Sequence, residues 1–189
     1  MRTFIAIDIE DAEIVNKLVE IQRVLKNTNA HLKLVEPENF HLTLKFLGEI
    51  STSDVEPISN IIRMVSEKYS CFTISLEGIG AFPTINKPRV IWVGIGEGAS
   101  MLQRIASDIN QLLRSIQIYG DDKAFHPHIT LARVKRFNRE LIRAIQQIAN
   151  IAIGLVKVKS IRLKKSTLTS QGPIYTTLFE ASLKSESNQ

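Results

Sequence analysis

The chain alternates short apolar runs with longer stretches in which every third or fourth residue is apolar. Short runs predict strands, and a period near 3.6 residues predicts helices with one buried face. Strands are predicted at residues 2–8, 32–35, 41–46, 71–78, 89–95, 128–134, 151–163 and 174–183. Helices are predicted at 12–27, 53–69, 100–116 and 139–148. A capping box of Ser53 and Glu56 opens the second helix, loops are predicted at 82–88 and 167–173, and the polar tail 184–189 is expected to fray.

The order of these elements repeats along the chain. A strand, a helix, a strand, a loop ending in proline and a further strand occur from His41 and again from His128. The segment NFHLTL at 39–44 also matches FHPHITL at 125–131. Duplication predicts two lobes related by a pseudo-twofold axis, with equivalent strands facing each other across a cleft. We therefore expect one α+β domain, residues 1–189, whose two intertwined lobes carry motifs at 41–44 and 128–131.

Each motif is a His-x-Thr-x segment on a predicted strand. Residues i and i+2 of a strand point to the same face, so His41 shares a face with Thr43 while the neighbouring leucines enter the core. The same holds for His128 and Thr130. Each strand then presents an imidazole roughly 7 Å from a hydroxyl.

Such pairs suit acid–base chemistry on a phosphate. An unperturbed imidazole has a pKa near 6.5, so one ring can be neutral and the other protonated near neutral pH. That state is what a general base and a general acid acting together require, and threonine hydroxyls can donate hydrogen bonds to phosphate oxygens. A metal site is the alternative, but no ligand pattern such as His-x-Glu-x-x-His or a cysteine cluster is present. His31 and His126 lack a threonine partner, and we interpret them as a surface residue and a residue of the cleft edge.

Charge is unevenly distributed. Residues 1–95 contain 10 basic and 12 acidic residues, whereas residues 96–189 contain 14 and 7. Between Lys123 and Lys165 there are eleven basic residues and one acid, Glu140. A concentrated positive face is typical of proteins that bind nucleic acid, and it is equally compatible with a solvated surface.

Other features of the sequence exclude several classes of protein. Cys71 is the single cysteine, which excludes an intrachain disulfide and a cysteine-based zinc site. No apolar run reaches the roughly 18 residues of a membrane span, and the start lacks the apolar stretch of a signal peptide. Neither G-x-x-x-x-G-K-[ST] nor G-x-G-x-x-G occurs. We expect a cytoplasmic protein with no membrane partner and no nucleotide cofactor.

At these residues the chain resembles the 2H phosphoesterases, which are defined by two H-x-[ST]-x motifs. It is most similar to the RNA 2′,3′-cyclic phosphodiesterases, historically called 2′-5′ RNA ligases. The resemblance covers nearly the whole chain. It includes MRTFIAID at 1–8, KFLG at 45–48, AFP at 81–83, KPRVIWVG at 87–94, HITLAR at 128–133 and GPIY at 172–175.

The resemblance implies a bilobal fold with largely antiparallel sheets lining a central cleft, helices packed outside, and neither metal nor cofactor. His41 would donate a proton to the leaving 3′ oxygen, His128 would activate water as the base, and Thr43 and Thr130 would bind the phosphate. The product would be a 2′-phosphomonoester. With an RNA 5′-hydroxyl in place of water, the same residues would form a 2′-5′ linkage. The near symmetry of the two motifs leaves the acid and base assignment open. The implied partner is RNA with a 2′,3′-cyclic phosphate end, tRNA-derived RNA included, and we expect a monomer.

Three basic residues are predicted to bind substrate: Lys45, Arg133 and Arg89. Lys45 shares the face of His41 by strand parity. Strict alternation points Arg133 away from the cleft, unless a strand end or a bulge turns it back. Arg89 is suited to contacts with bases or backbone.

Two interpretations are open for the roles of Trp92, Lys164 and Lys165. Trp92 could stack on a base, but its apolar neighbours are typical of a core. The two lysines could hold an RNA backbone or form plain surface charge.

Two other functions remain open. One is a non-catalytic RNA-binding module, against which the two intact motifs argue. The other is an enzyme acting on a small cyclic or 2′-linked phosphate, such as a nucleotide-derived metabolite or a 2′-5′ oligoadenylate. The extended positive charge favours long RNA over such a substrate, and steep salt dependence of binding would separate the two.

Overall fold

The computed structural model describes residues 1–186, which form four α-helices and nine strands. The helices are α1 (Ala12–Lys26), α2 (Val55–Lys68), α3 (Ala99–Ser115) and α4 (Arg139–Gln147). The strands are β1 (Arg2–Asp8), β2 (His31–Leu34), β3 (His41–Glu49), β4 (Phe72–Thr84), β5 (Lys87–Ile95), β6 (His128–Arg136), β7 (Ala152–Val158), β8 (Ser160–Thr169) and β9 (Gly172–Ser182). In this range no helix has both the length and the apolar character needed to cross a bilayer.

The nine strands form one antiparallel sheet. Eight of them lie in the order β7-β4-β5-β6-β3-β1-β8-β9, and β2 pairs with the C-terminal part of β6 on the edge opposite β5. The motif strands β3 and β6 meet at the centre through a single residue pair, Leu42 with Ile129. The sheet is therefore made of two lobes joined where the two motifs lie.

The duplication is visible in the order of the strands. Corresponding elements start 84 to 88 residues apart: β1 and β5, α1 and α3, β3 and β6, α2 and α4, β4 and β8. Corresponding strands lie at equal distances from the centre of the sheet, which confirms the predicted α+β fold built from a duplicated unit. The repeat begins one strand and one helix earlier than predicted. The last pair of these corresponding strands, β4 and β8, lies in the lobe of the other half, because β4 pairs with β5 and β8 pairs with β1.

One apolar core lies between the helices and one face of the sheet. Each helix contributes a stripe at a spacing of three or four residues, which in α1 is Ile14, Leu18, Ile21 and Leu25. The facing strand residues have no exposed surface, among them Ile5, Leu42, Ile91, Ile129 and Leu163. Since side chains alternate along a strand, the other face of the sheet, called the open face below, receives the residues between them.

Both predicted proline-containing loops are wrong. The strands β4 and β5 continue to a two-residue turn at 85–86, and β8 and β9 continue to a turn at 170–171. Pro83 and Pro88 lie opposite each other beside a register shift in the first hairpin. A proline tolerates such a site because the ladder there does not depend on its missing N–H.

The single strand predicted at 151–163 is also wrong. The chain leaves the ladder at Lys159, and the two parts pair in different lobes, β7 with β4 and β8 with β1. An apolar run of this length does not reveal the break, because both parts bury one face against the same core.

Two predictions about element ends need correction. The capping box involves Ser51 and Asp54, whose carboxylate accepts the Ser51 amide at 2.8 Å, and a short 3₁₀ turn at 52–54 then leads into α2. In the tail, the amide of Lys184 donates to the Tyr69 carbonyl at 3.0 Å, so this residue is held in place. Residues 187–189 lie outside the described range.

Candidate active site

The motif strands place all four predicted catalytic side chains on one surface. Leu42 and Ile129 face each other on the core side of β3 and β6. The flanking residues of each strand therefore project from the open face: His41, Thr43, His128 and Thr130. All four are partly exposed. Alternation along each strand thus holds across the motifs, as predicted.

Each imidazole is anchored in the same way. The Nδ1 atom of His41 lies 2.7 Å from the carbonyl oxygen of Asn39, and that of His128 lies 2.5 Å from the carbonyl oxygen of His126. A carbonyl can only accept, so Nδ1 carries the hydrogen in both rings. The Nε2 atom of each ring is then an acceptor when the ring is neutral and a donor when it is charged. This fixes one tautomer and one ring orientation on both sides of the site.

The surroundings of both rings disfavour their charged forms. Burial lowers the pKa of His41, and the positive charges of Lys164 and His128 lower it further, against opposing effects of the Asn39 carbonyl and the Asp8 carboxylate. Burial likewise lowers the pKa of His128, assisted by the charge of His126 and opposed by the His126 carbonyl. The charge of His128 influences His41, so the two imidazoles are electrostatically coupled.

This arrangement can bind and transform a phosphate. Two Nε2 atoms and two hydroxyls share a surface, so a phosphate between the strands could meet a proton donor, a proton acceptor and two neutral hydrogen-bond donors. Across residues 1–186, no three or more histidine, cysteine, aspartate or glutamate side chains are grouped so that they could hold a metal ion.

A bulge in β6 brings Arg133 back to the open face. Thr130 pairs with Trp92, but Ala132 pairs with Ile91, so Leu131 is an extra residue in β6. Leu131 and Ala132 are both buried, and Arg133 is exposed. Alternation is reversed after the extra residue. The strict alternation that pointed Arg133 away from the cleft is therefore wrong, and the bulge restores it to the face of His128.

The same bulge in β3 removes Lys45 from that face. Thr43 pairs with Ala6 and Lys45 with Ile5, so the side chain of Lys45 lies on the core side of β3. It is buried, and its Nζ atom donates to the Asp121 carbonyl at 2.5 Å. The parity argument for Lys45 as a substrate contact is wrong. Its position instead ties β3 to the connection between α3 and β6.

The position of Arg89 gives no support to its predicted role. Pro83 pairs with Pro88 and Phe82 with Val90, so Arg89 is the extra residue of β5 near the tip of a hairpin. Its side chain is exposed there. It is in register with neither motif strand.

Comparison with known proteins finds the same duplication in the sequence. The family model described as "LigT like Phosphoesterase" matches residues 7–92 and matches again at residues 93–175. The chain belongs to the LigT-like phosphoesterase family. The two matches correspond to the two halves of the fold, each with one His-x-Thr-x motif. Family membership confirms the predicted resemblance to the 2H phosphoesterases and the predicted class of enzyme.

Individual LigT-like relatives agree along most of their length. An "RNA 2′,3′-cyclic phosphodiesterase" of Aeropyrum pernix is 43% identical over 170 residues, which are 88% of this chain and 94% of that protein. The crystal structure of TT0787 of Thermus thermophilus superposes with a TM-score of 0.85 at 30% identity, covering 99% of this chain and 100% of that one. Escherichia coli LigT complexed with 3′-AMP gives a TM-score of 0.77 at 25% identity, covering 96% and 97%.

Aromatic rings surround each histidine of this LigT-like phosphoesterase. On the β3 side, the His41 ring lies 4.9 Å from the Phe4 ring and 5.3 Å from that of Tyr175. Tyr175 comes from β9, and nothing near it in the sequence predicts a place beside His41. The hairpin β8–β9, which takes the place of a predicted loop, brings it there.

On the β6 side, the His128 ring lies 5.1 Å from Phe82, and Trp92 lies 5.1 Å from Phe82 and 5.0 Å from His126. Trp92 is opposite Thr130 in the sheet and so belongs to the open face. The interpretation of Trp92 as a core residue is wrong. These contacts hold the imidazole of His128 edge-on against an apolar wall.

Buried charges lie beside His41. Asp8 is opposite His41 in register and accepts hydrogen bonds from Lys164 at 2.7 Å and Arg162 at 2.6 Å. Burial would raise the pKa of Asp8, but these two cations outweigh it and lower the pKa. Lys164 is 8% exposed, so its interpretation as surface charge is wrong. Alternation along β8, with Arg162 and Lys164 on one face, is the sequence signal that could have indicated this cluster.

Proposed function

We propose that this phosphoesterase opens the 2′,3′-cyclic phosphate at the end of an RNA strand and leaves a 2′-phosphomonoester. The observation that carries the proposal is the matched pair of imidazoles. Both have Nδ1 bound to a backbone carbonyl and Nε2 free for chemistry, and both lie beside a threonine on the open face. The substrate class is supported by the names of relatives such as the Aeropyrum pernix protein, an RNA 2′,3′-cyclic phosphodiesterase.

In the proposed reaction a water molecule attacks the phosphorus atom opposite the 3′ oxygen. His128 Nε2 accepts the proton of the water, the bond from phosphorus to O3′ breaks, and His41 Nε2 donates a proton to O3′. Thr43 and Thr130 donate hydrogen bonds to the non-bridging oxygens, where negative charge increases in the transition state. Arg133 supplies positive charge to the same phosphate. The bond to O2′ is kept, so the product carries its phosphate there.

Ligation would use the same residues. If the 5′-hydroxyl of a second RNA replaces water as the nucleophile, His128 accepts its proton and the new bond is a 2′-5′ linkage. Exclusion of water from the nucleophile position would then decide between hydrolysis and joining.

The first test is hydrolysis of a short RNA ending in a 2′,3′-cyclic phosphate, with EDTA present. We expect the wild-type protein to yield only the 2′-phosphate, and His41→Ala and His128→Ala each to lose roughly 10²- to 10⁴-fold in rate, the scale of a missing acid or base. His126→Ala is the matched control, since it removes a neighbouring imidazole with no proposed acid or base role and keeps the His126 carbonyl that anchors His128. Its loss in rate should be much smaller than that of either motif variant. An inert wild type, or turnover abolished by EDTA, would contradict the proposal.

The assignment of acid and base has its own test. A cyclic substrate with sulfur in place of the bridging 3′ oxygen has a leaving group that needs no proton. We expect His41→Ala to recover most of its activity on this substrate and His128→Ala to remain inactive. Recovery by His128→Ala alone would reverse the two roles.

We further propose that the protein acts as a monomer in the cytoplasm, on RNA ends that include tRNA-derived fragments. Its one cysteine, Cys71, leaves the fold without any disulfide that a reducing compartment would break. Light scattering across a concentration series checks the monomer.

A further inference from the structure

A row of basic side chains extends from the site across β6 and β2. In register, Arg133 of β6 is opposite Lys33 of β2, and Arg136 is opposite His31. Partners in an antiparallel pair project from the same face, and His31 and Lys33 are two residues apart on one strand. The four side chains therefore share the open face with His128 and Thr130. All four are exposed.

These charges have no acidic partners. Among the ion pairs of residues 1–186, none involves Lys33, Arg133 or Arg136. Like charges directly opposite each other destabilise a sheet. By contrast, the basic residues of β8 on the same face, Arg162 and Lys164, are bound to carboxylates. Uncompensated cation pairs on an exposed sheet edge fit a surface that is neutralised by an anionic ligand.

An exposed aromatic residue directly follows the last residue of the row in the sequence. Phe137 follows Arg136 directly and is 44% exposed, and Arg139 continues the positive charge into α4. Basic side chains with an exposed aromatic ring at one end suit a single nucleic-acid strand, whose phosphates bind the cations and whose bases stack on the ring.

We infer that Arg133, Lys33, His31, Arg136 and Phe137 form a track that binds the RNA strand upstream of its cyclic end. This inference rests on the proposed function, because it takes the cyclic phosphate to lie at the two histidines. Arg136 follows Thr130 by six positions, and Leu131 and Lys135 between them are extra residues of bulges. The track is therefore at most about 20 Å long, the length of up to roughly six stacked nucleotides. The enzyme would therefore prefer an oligonucleotide end to a mononucleotide.

The direct test measures RNA binding without catalysis. An eight-nucleotide single-stranded RNA with a 3′-phosphate is titrated with protein at several salt concentrations, and fluorescence anisotropy gives the affinity. We expect the variant Lys33→Gln/Arg136→Gln to bind about tenfold more weakly at low salt. Its slope of log affinity against log salt should be smaller by about 1.4, since each lost phosphate contact on a single strand removes about 0.7.

The matched control removes the same charge elsewhere. Lys26 and Arg104 are exposed on α1 and α3, on the helical side of the molecule. Lys26→Gln/Arg104→Gln should leave the salt slope unchanged. If both double variants lost RNA affinity equally, only net charge would matter and the track would be overturned. An unchanged salt slope in Lys33→Gln/Arg136→Gln would overturn it as well. The melting temperature of each variant shows whether it is folded, and removing opposed cations should not lower it.

Turnover measurements on a short and a long substrate distinguish a failure of the track from a failure of the proposed function. With a nucleoside 2′,3′-cyclic monophosphate, Lys33→Gln/Arg136→Gln should match the wild type in kcat/KM. With the eight-nucleotide RNA bearing the same cyclic end, its KM should rise and its kcat should stay the same. An equal loss of kcat/KM on both substrates would overturn the track. A wild type that hydrolyses neither substrate would contradict the proposed function alone, since the anisotropy experiment does not depend on cleavage.

Discussion

The hydrogen bonds at Nδ1 decide which atom of each histidine faces a substrate. Because His41 and His128 both donate to a carbonyl two residues earlier, only Nε2 of each ring is available. The burial that keeps the rings in place also lowers the pKa of both. In the free protein both shifts favour the neutral form of each ring. A bound phosphate brings negative charge, which favours the charged form of one ring and so prepares the donor.

This has a consequence for the pH dependence of the reaction. Above both pKa values neither ring can donate, and below both neither can accept, so kcat/KM should follow a bell-shaped curve that reports the free protein. Since the pKa of each histidine is lowered from an ordinary value near 6.5, we expect the maximum below pH 6.5. Initial rates at limiting substrate across the acidic and neutral range measure it. NMR titration of the two rings, assigned with His41→Ala, provides an independent check, and midpoints above the ordinary value would contradict the expectation.

At the scale of elements, the sequence predicts what depends on local periodicity. The four helices and the alternation through His41 and His128 are confirmed, because each depends on spacing within one segment. The bulges at Leu44 and Leu131 depend on neighbouring strands, so no local pattern predicts that Lys45 leaves the open face while Arg133 joins it. The lengths of the turns in the two hairpins could not be predicted for a related reason. Proline and polar residues in these segments are compatible with a turn of any length.

The pairing of β4 with β5 gives a prediction at this scale. A Cβ atom at Gly80 would lie 2.4 Å from two indole carbons of Trp92, so the ring lies directly against the glycine. Gly80→Ala should displace the indole, change the fluorescence of the protein's single tryptophan and lower the free energy of unfolding by about 1–3 kcal/mol. It should also lower turnover, because Trp92 packs beside His126 and His128.

Emission spectra, urea unfolding and turnover of Gly80→Ala measure these three effects. In a Trp92→Phe background the smaller ring should make the same substitution less costly, as a double-mutant cycle would show. Unchanged tryptophan emission in Gly80→Ala would rule out the displacement.

At the scale of the whole molecule, neither half of the chain completes its own lobe. β1 and β3 of the first half need β8 of the second, and β4 of the first half lies between β5 and β7 of the second. We propose that the chain therefore folds as one domain, as the duplicated sequence predicts. The candidate active site lies at the junction of the lobes, where β3 and β6 meet.

Cutting the chain between the halves should therefore abolish folding of either piece. A fragment of residues 1–86 keeps a complete motif but loses the neighbours of β4 and one neighbour of β1. We expect it to show no cooperative urea transition by circular dichroism. Mixed with a fragment of residues 87–189, it should regain a transition and phosphodiesterase activity. A cooperative transition of the first fragment alone would contradict the proposal of one domain.

The exchange of β4 and β8 between lobes also bears on ancestry. A shorter forebear with one motif could have closed its sheet only by trading that strand with a second copy, as in a domain-swapped homodimer. Its two imidazoles would then have come from two polypeptides related by strict symmetry. Gene fusion would have freed the copies to diverge. Phe46, 49% exposed, and Arg133 now occupy corresponding positions, one aromatic and one cationic, so the two sides of a once symmetric surface are no longer equivalent.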